Sequence, residues 1–129
     1  LSADENRPAV MAEVRAAFDA YEAALVRNDI EALNSFFLNS ASSVRYGIAE
    51  QHYGFEAIGA FRRTAAAVHP QRRLLRTVIS SFGAEFASVC CEFTDPSSPR
   101  TGRQTQTWVR TADGWRIAAA HVSLSSAPR

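Results

Sequence analysis

Apolar residues recur every three or four positions near the start of the chain, then at every second position over most of its remainder. Val10, Val14, Phe18, Tyr21 and Leu25 share one face of a helix that Pro8 can open and Asn28-Asp29 can end. Asp29 is placed to cap a second helix whose apolar side is Ile30, Leu33, Phe36 and Phe37. The polar stretch Ser40 to Ser43 reads as a loop, Val44 to Gly47 as a short strand, and Glu50 to His52 as a turn. A third helix is expected from Glu56 to Val68, with Ile58, Phe61, Ala65 and Val68 on one side. His69-Pro70 stops it, because proline disfavours helix in the residue before it. Residues 1 to 7 read as a mobile lead-in and Ser125 to Arg129 as a frayed end.

Period-two patterning takes over from Thr77. Strands are expected at Thr77 to Phe82 and Phe86 to Thr94, separated by a turn at Gly83-Ala84-Glu85. In the second of these, Phe86, Ser88, Cys90 and Glu92 share a face, and Ala87, Val89, Cys91 and Phe93 form the other, more apolar one. Asp95 to Arg100 reads as a loop. Arg103 to Leu124 then forms a hairpin turned at Asp113-Gly114, the strongest turn signal in the chain. Gln104, Gln106 and Trp108 share one face of its first arm. Trp115, Ile117, Ala119 and His121 share one face of its second, unless a bulge exchanges the faces. The order of elements predicts an α+β domain with helices on one face of a curved sheet, and 129 residues suit one domain, 1–129.

Composition narrows the function. A 47% hydrophobic fraction supports a proper core, and a net charge of +1 gives neither a nucleic-acid footprint nor an acidic solvating tail. No apolar run has the length of a bilayer span, and LSADENRPAV lacks the pattern of a signal peptide, so a cytoplasmic protein is expected. Adjacent Cys90 and Cys91 point to opposite faces of a strand and are not expected to form a disulfide. There is no G-x-S-x-G elbow and no Gly-rich phosphate loop. His52, His69 and His121 are scattered, so no metal site and no cofactor are expected.

What remains is a set of polar residues on core-like elements. Tyr21 is either a core tyrosine with its hydroxyl on a backbone partner or a phenol aimed into a cavity. Arg45 is either solvated or turned inward, where it would require Glu92 or a ligand carboxylate as counter-charge. Gln104 and Gln106 are either solvated sheet-face groups or cavity groups able to read the C=O and N–H groups of a small planar ligand. Arg72, Arg73 and Arg76 form a solvated rim or a mouth that attracts anions.

The last two strands carry R-x-T-x-x-W…DGWRI-x-x-x-H-x-S (Arg103, Thr105, Trp108, Asp113 to Ile117, His121, Ser123), which resembles the nuclear-transport-factor-like superfamily. AAF-x-x-YE-x-AL-x-x-ND around Tyr21, VRYG at Val44 to Gly47, RTVISSFG at Arg76 to Gly83, EFT at Glu92 to Thr94 and GRQTQTWVR at Gly102 to Arg110 narrow the likeness to the AtzH-like family. That resemblance implies a cone-shaped fold, with a curved antiparallel sheet and about three N-terminal helices enclosing a pocket. It implies Tyr21 and Arg45 as a catalytic pair; the polar residues on the strands, Glu92, Gln104, Gln106 and His121, are the substrate-binding candidates read from the pattern itself. The implied activity is metal- and cofactor-independent decarboxylating amidohydrolysis of a small N-carboxylated urea. The alternative is an acid-binding accessory to an amidase in oxalurate or purine catabolism. A homodimer with a small carboxylated urea or dicarboxylate ligand, and no nucleic-acid or membrane partner, completes the expectation.

Overall fold

In a computed structural model, residues 4–128 are described. The first helix, α1 (Pro8–Val26), buries Val10, Val14, Phe18, Tyr21 and Leu25, the stripe set by their spacing. Asn28, in the left-handed region at φ 55°, turns the chain back, and the amide of Asp29 donates to the carbonyl of Ala24 at 2.9 Å. The Asp29 carboxylate then accepts from the amide of Ala32 at 3.1 Å and so caps α2 (Ile30–Ser35). Beyond α2 the backbone is tied to the hairpin. Leu38 donates to the carbonyl of Ile117 and Ile117 to that of Phe36, at 2.9 and 2.7 Å.

The strands are β1 (Val44–Tyr46), β2 (Gln51–Tyr53), β3 (Arg73–Phe82), β4 (Phe86–Asp95), β5 (Ser98–Thr111) and β6 (Gly114–Pro128), with α3 (Phe55–Thr64) between β2 and β3. They form one sheet in the order β2-β1-β6-β5-β4-β3. Every pairing is antiparallel except β1 with β6, which is parallel, with Arg45 opposite Ala120. The inner face of this α+β sheet carries Ala87, Val89 and Cys91 of β4 and Gln104, Gln106 and Trp108 of β5. From β6 it receives Trp115, Ile117 and Ala120, and α1 and α2 cover it with Phe18 and Leu33. The Trp115 ring N–H reaches back to Glu13 of α1 at 2.9 Å.

Several boundaries differ from those read in the sequence, each for a local reason. Glu50 to His52 is not a turn: Gln51–Tyr53 pairs with β1 as a short hairpin. The third helix stops at Thr64, with Ala65 already extended (ψ 147°), so Ala67, Val68 and His69 run along the rim of a cavity. Tertiary placement overrides the helix preference of the three alanines there. The strand expected from Thr77 begins at Arg73, with a bulge between Leu74 and Thr77. The loop expected at Asp95 to Arg100 contracts to a tight turn, because the Asp95 carboxylate accepts from both the amide (2.7 Å) and the hydroxyl of Ser97. The far end does not fray at Ser125, since β6 pairs as far as Pro128 opposite Arg100; Arg129 lies outside the described residues. In the lead-in, Asn6 is pinned to β3: the amide of Ser81 donates to its side-chain carbonyl at 2.8 Å, and its own amide to the Ser81 carbonyl at 2.9 Å. Residues 1–3 fall outside the described residues.

The correction that matters most for the site is in β6. Thr107 pairs with Ala119 but Trp108 with Ile117, leaving Ala118 as an extra residue. The alternation reverses there: Trp115 and Ile117 face inward before the bulge, Ala120 and Val122 after it. His121 therefore faces out.

Candidate functional site

A cavity of about 360 Å³ opens between α1, the end of α3 and the inner face of the sheet. Tyr21 enters from α1, Arg45 from β1, Arg62 from the last turn of α3, Arg72 from the approach to β3, and Gln104 and Gln106 from β5. The Tyr21 ring is wedged edge-on against Phe36, Phe37 and Trp108, at centroid distances of 5.8, 6.4 and 6.4 Å. Its hydroxyl has no hydrogen-bond partner among the described residues. Of the two readings open for Tyr21, the backbone-bonded core tyrosine is thus set aside. Burial pushes its pKa up, despite the opposing pull of the Arg62, Arg45 and Arg72 guanidinium groups. The group is a neutral proton donor across the physiological range.

Arg45 turns inward, its side chain 12% exposed, with its guanidinium 4.3 Å from the centroid of the Phe61 ring. Its counter-charge is Glu50, at 3.1 Å, and not Glu92. Gly47 makes this pair accessible, because a Cβ there would overlap the Glu50 carboxylate and crowd Arg45.

The opposite wall is a buried network. The Arg72 Nε donates to Glu22 Oε1 at 3.0 Å and its Nη2 to Glu22 Oε2 at 3.3 Å. Gln104 joins both partners, its Nε2 donating to Glu22 at 3.1 Å and its Oε1 accepting from Arg72 at 3.4 Å. The guanidinium carbon of Arg72 lies over Phe93, 4.0 Å from the ring centroid. Phe93 in turn lies over Gly102 on the neighbouring strand, where any side chain would collide with the ring. Gln104 lines the cavity, but the protein's own charges occupy its amide. Gln106 differs: its Oε1 accepts from the Trp108 ring N–H at 3.0 Å, and its amide nitrogen makes no hydrogen bond to a described residue.

Two expected site residues lie elsewhere. Glu92 is exposed on the outer face, opposite Arg103, because the inner register of β4 belongs to Cys91 and Phe93. His121 is exposed beyond the bulge, its ring 5.4 Å from that of Tyr46. The sequence reading missed Glu22 and Arg62. Both carried a signal: Glu22 stands four residues after Phe18 and three before Leu25, and Arg62 four after Ile58, so each falls on a buried stripe. Among the described residues, no three His, Cys, Asp or Glu side chains group as metal ligands. No described helix is long and apolar enough to cross a membrane.

A model of the AtzH-like family matches residues 3–128. The chain belongs to the AtzH-like family. Its structure superposes on that of a cystatin-like fold protein from Burkholderia xenovorans LB400 with a TM-score of 0.93 and 52% identity, covering 96% of this chain and 98% of that one. A protein of unknown function from Pectobacterium atrosepticum SCRI1043 gives a TM-score of 0.94 and 46% identity over 98% of both chains. A nuclear-transport-factor-2-like protein from Pseudomonas putida KT2440, 18% identical with a TM-score of 0.78 over 91% of this chain and 87% of that one, shares the fold alone. No curated protein matches the chain. The AtzH-like cavity thus lies where the expected curved sheet and three helices meet.

Behind the cavity wall, burial pushes the Cys91 thiol up to about 11 from 9.0. Below pH 9 the thiol is protonated in both folded and unfolded chains and stability is unaffected. Between pH 9 and 11 the unfolded chain loses its proton first, so stability falls as pH rises, by about 2 kcal/mol at pH 11. The buried Tyr21 phenol adds to the same decline above pH 10. Urea denaturation at pH 8, 9, 10 and 11 is expected to show the midpoint falling, and less steeply between pH 9 and 10 in Cys91→Ala.

Proposed function

We propose that this protein removes an N-carboxylate from a small carboxylated urea such as dicarboxyurea, without a metal or organic cofactor. The observation that carries this reading is the unbonded Tyr21 phenol sharing one cavity with the Arg45 guanidinium. Arginine's planar fork matches a carboxylate, so Arg45 would hold a substrate carboxylate and Gln106 would offer its free amide N–H to the urea carbonyl. Tyr21 would donate its proton to the nitrogen as the N–C bond to the carboxylate breaks. The bonding pair stays on nitrogen, carbon dioxide leaves, and the phenolate recovers a proton from solvent. A positioned donor is the main requirement of such a step, and general acid catalysis of this kind contributes about 10²–10⁴-fold.

Direct attack by water on an amide would ask more of the site. It needs a base, whereas Glu22 is held by Arg72, Glu50 by Arg45, Asp95 by the Ser97 turn, and the Nδ1 lone pair of His69 at the rim by the Gln71 amide. The product, an acid still carrying its urea core, would pass to a separate amidase. The outer face of the sheet exposes Val78 and Phe86, which suits pairing with a second copy of the chain.

The test is carbon dioxide release from freshly prepared dicarboxyurea. Arg45→Ala is expected to raise KM at least about tenfold, as loss of a charged hydrogen-bond anchor does. Full activity in Arg45→Ala would remove the assignment. A second reading, a non-catalytic carrier of small acids, draws on the Arg45–Glu50 pair, in which a ligand carboxylate could reversibly replace Glu50. Thermal stabilisation by malonate or oxalurate without any release of carbon dioxide would favour it.

A further inference from the structure

Three guanidinium groups reach the cavity, and two are already matched. Arg72 is bound by Glu22 and Arg45 by Glu50. The third, Arg62, is 8% exposed and makes no hydrogen bond or ion pair with any described residue. Around it stand the Phe61 ring, 5.5 Å from its guanidinium carbon, the Tyr21 phenol and the like-charged Arg45. Burying a cation without a partner is among the more destabilising things a fold can do, and a second cation nearby adds to it. The helix C-terminus offsets only part of this. The position is four residues beyond Ile58 on the packed side of α3, where leucine or methionine would stabilise the core. An arginine retained there is explained by an anion supplied from outside.

We propose that Arg62 is the principal anion anchor of the pocket, the residue that first takes a ligand carboxylate. Arg45, already neutralised by Glu50, accepts a second carboxylate only by releasing Glu50. The pocket therefore ranks small ligands by their number of carboxylates, with Arg62 as the residue that sets the ranking. This deepens the proposed function by naming the residue that selects its substrate class, and it rests on that reading only in using the same cavity. It requires no turnover.

Three small probes separate the charges: malonate with two carboxylates, acetate with one, and malonamide with none. Calorimetric titration of the unaltered chain is expected to give malonate the tightest binding, acetate next and malonamide the weakest. Arg62→Gln should weaken malonate by about 10–100-fold and bring acetate down to the level of malonamide, the effect of removing one charged hydrogen-bonding partner. Arg62→Lys should recover part of the loss. The ligand-free Arg62→Gln chain should melt at the same temperature as the unaltered one or higher, which a structural arginine would not allow. Malonate bound within about threefold by Arg62→Gln would overturn the proposal. So would a lower melting temperature with all three probes weakened alike, or an unaltered chain that does not rank malonate above malonamide. A chain that binds in this order but releases no carbon dioxide would defeat the proposed reaction and leave the anchor standing.

Discussion

Tyr21→Phe is expected to release carbon dioxide from dicarboxyurea about 10²–10⁴-fold more slowly than the unaltered chain, with stability changed by less than about 1 kcal/mol. The small structural effect follows from the packing. The three edge-on ring contacts with Phe36, Phe37 and Trp108 persist in phenylalanine, and the hydroxyl removed has no protein partner to orphan. The kinetic effect should fall on kcat more than on KM, because the proton is needed at bond cleavage and not for binding. Since burial raises the Tyr21 pKa above 10.0, the donor form is fully present at neutral pH. No loss of rate through this group is expected until the pH exceeds 10, where the phenol begins to ionise. A pH–rate profile falling with an apparent pKa near neutrality would point to a different proton donor.

Glu22→Ala is expected to destabilise the fold by about 3–5 kcal/mol, the usual effect of leaving a buried ion alone. The Arg72 side chain is 5% exposed and would keep its charge with no carboxylate beside it. Gln104 would lose the acceptor for its amide N–H at the same time. Removing both charges is a different experiment: Glu22→Leu with Arg72→Met should restore most of the loss, since an apolar pair can replace a buried ion pair at little net cost. Urea unfolding of the two single variants and the double variant gives the coupling directly. Strict additivity of the two single losses would contradict the network described here.

The elements that position the site were legible to different depths. α1 could be read from the spacing of Val10, Val14, Phe18, Tyr21 and Leu25, and the inward face of Gln104 and Gln106 from the alternation shared with Trp108. The same alternation in β4 already placed Cys91 and Phe93 on the apolar face. Placing Glu92 in the pocket goes against that alternation and rests on the counter-charge that an inward Arg45 needs. That charge comes from Glu50, in the connection between β1 and β2, where no periodicity exists to announce it. His121 was misplaced by one inserted residue, Ala118, which leaves no mark in a run of three alanines. Arg62 and Glu22 went unread because charged residues on an amphipathic helix are by default assigned to its wet side. Their spacing from Ile58 and from Phe18 and Leu25 argued otherwise.

The parallel ladder between β1 and β6 bears on how this protein is made. Arg45 takes its place through Ala120, a residue 75 positions further along the chain. As the chain leaves the ribosome, the early helices can compact, but the segment bearing the guanidinium can pair only with β2 and has no place in the main sheet until the last strand has emerged. A contact so distant in sequence is slow to close. Binding competence is therefore expected to arrive only at the end of folding, and truncated nascent chains that already hold helix should not capture ligand.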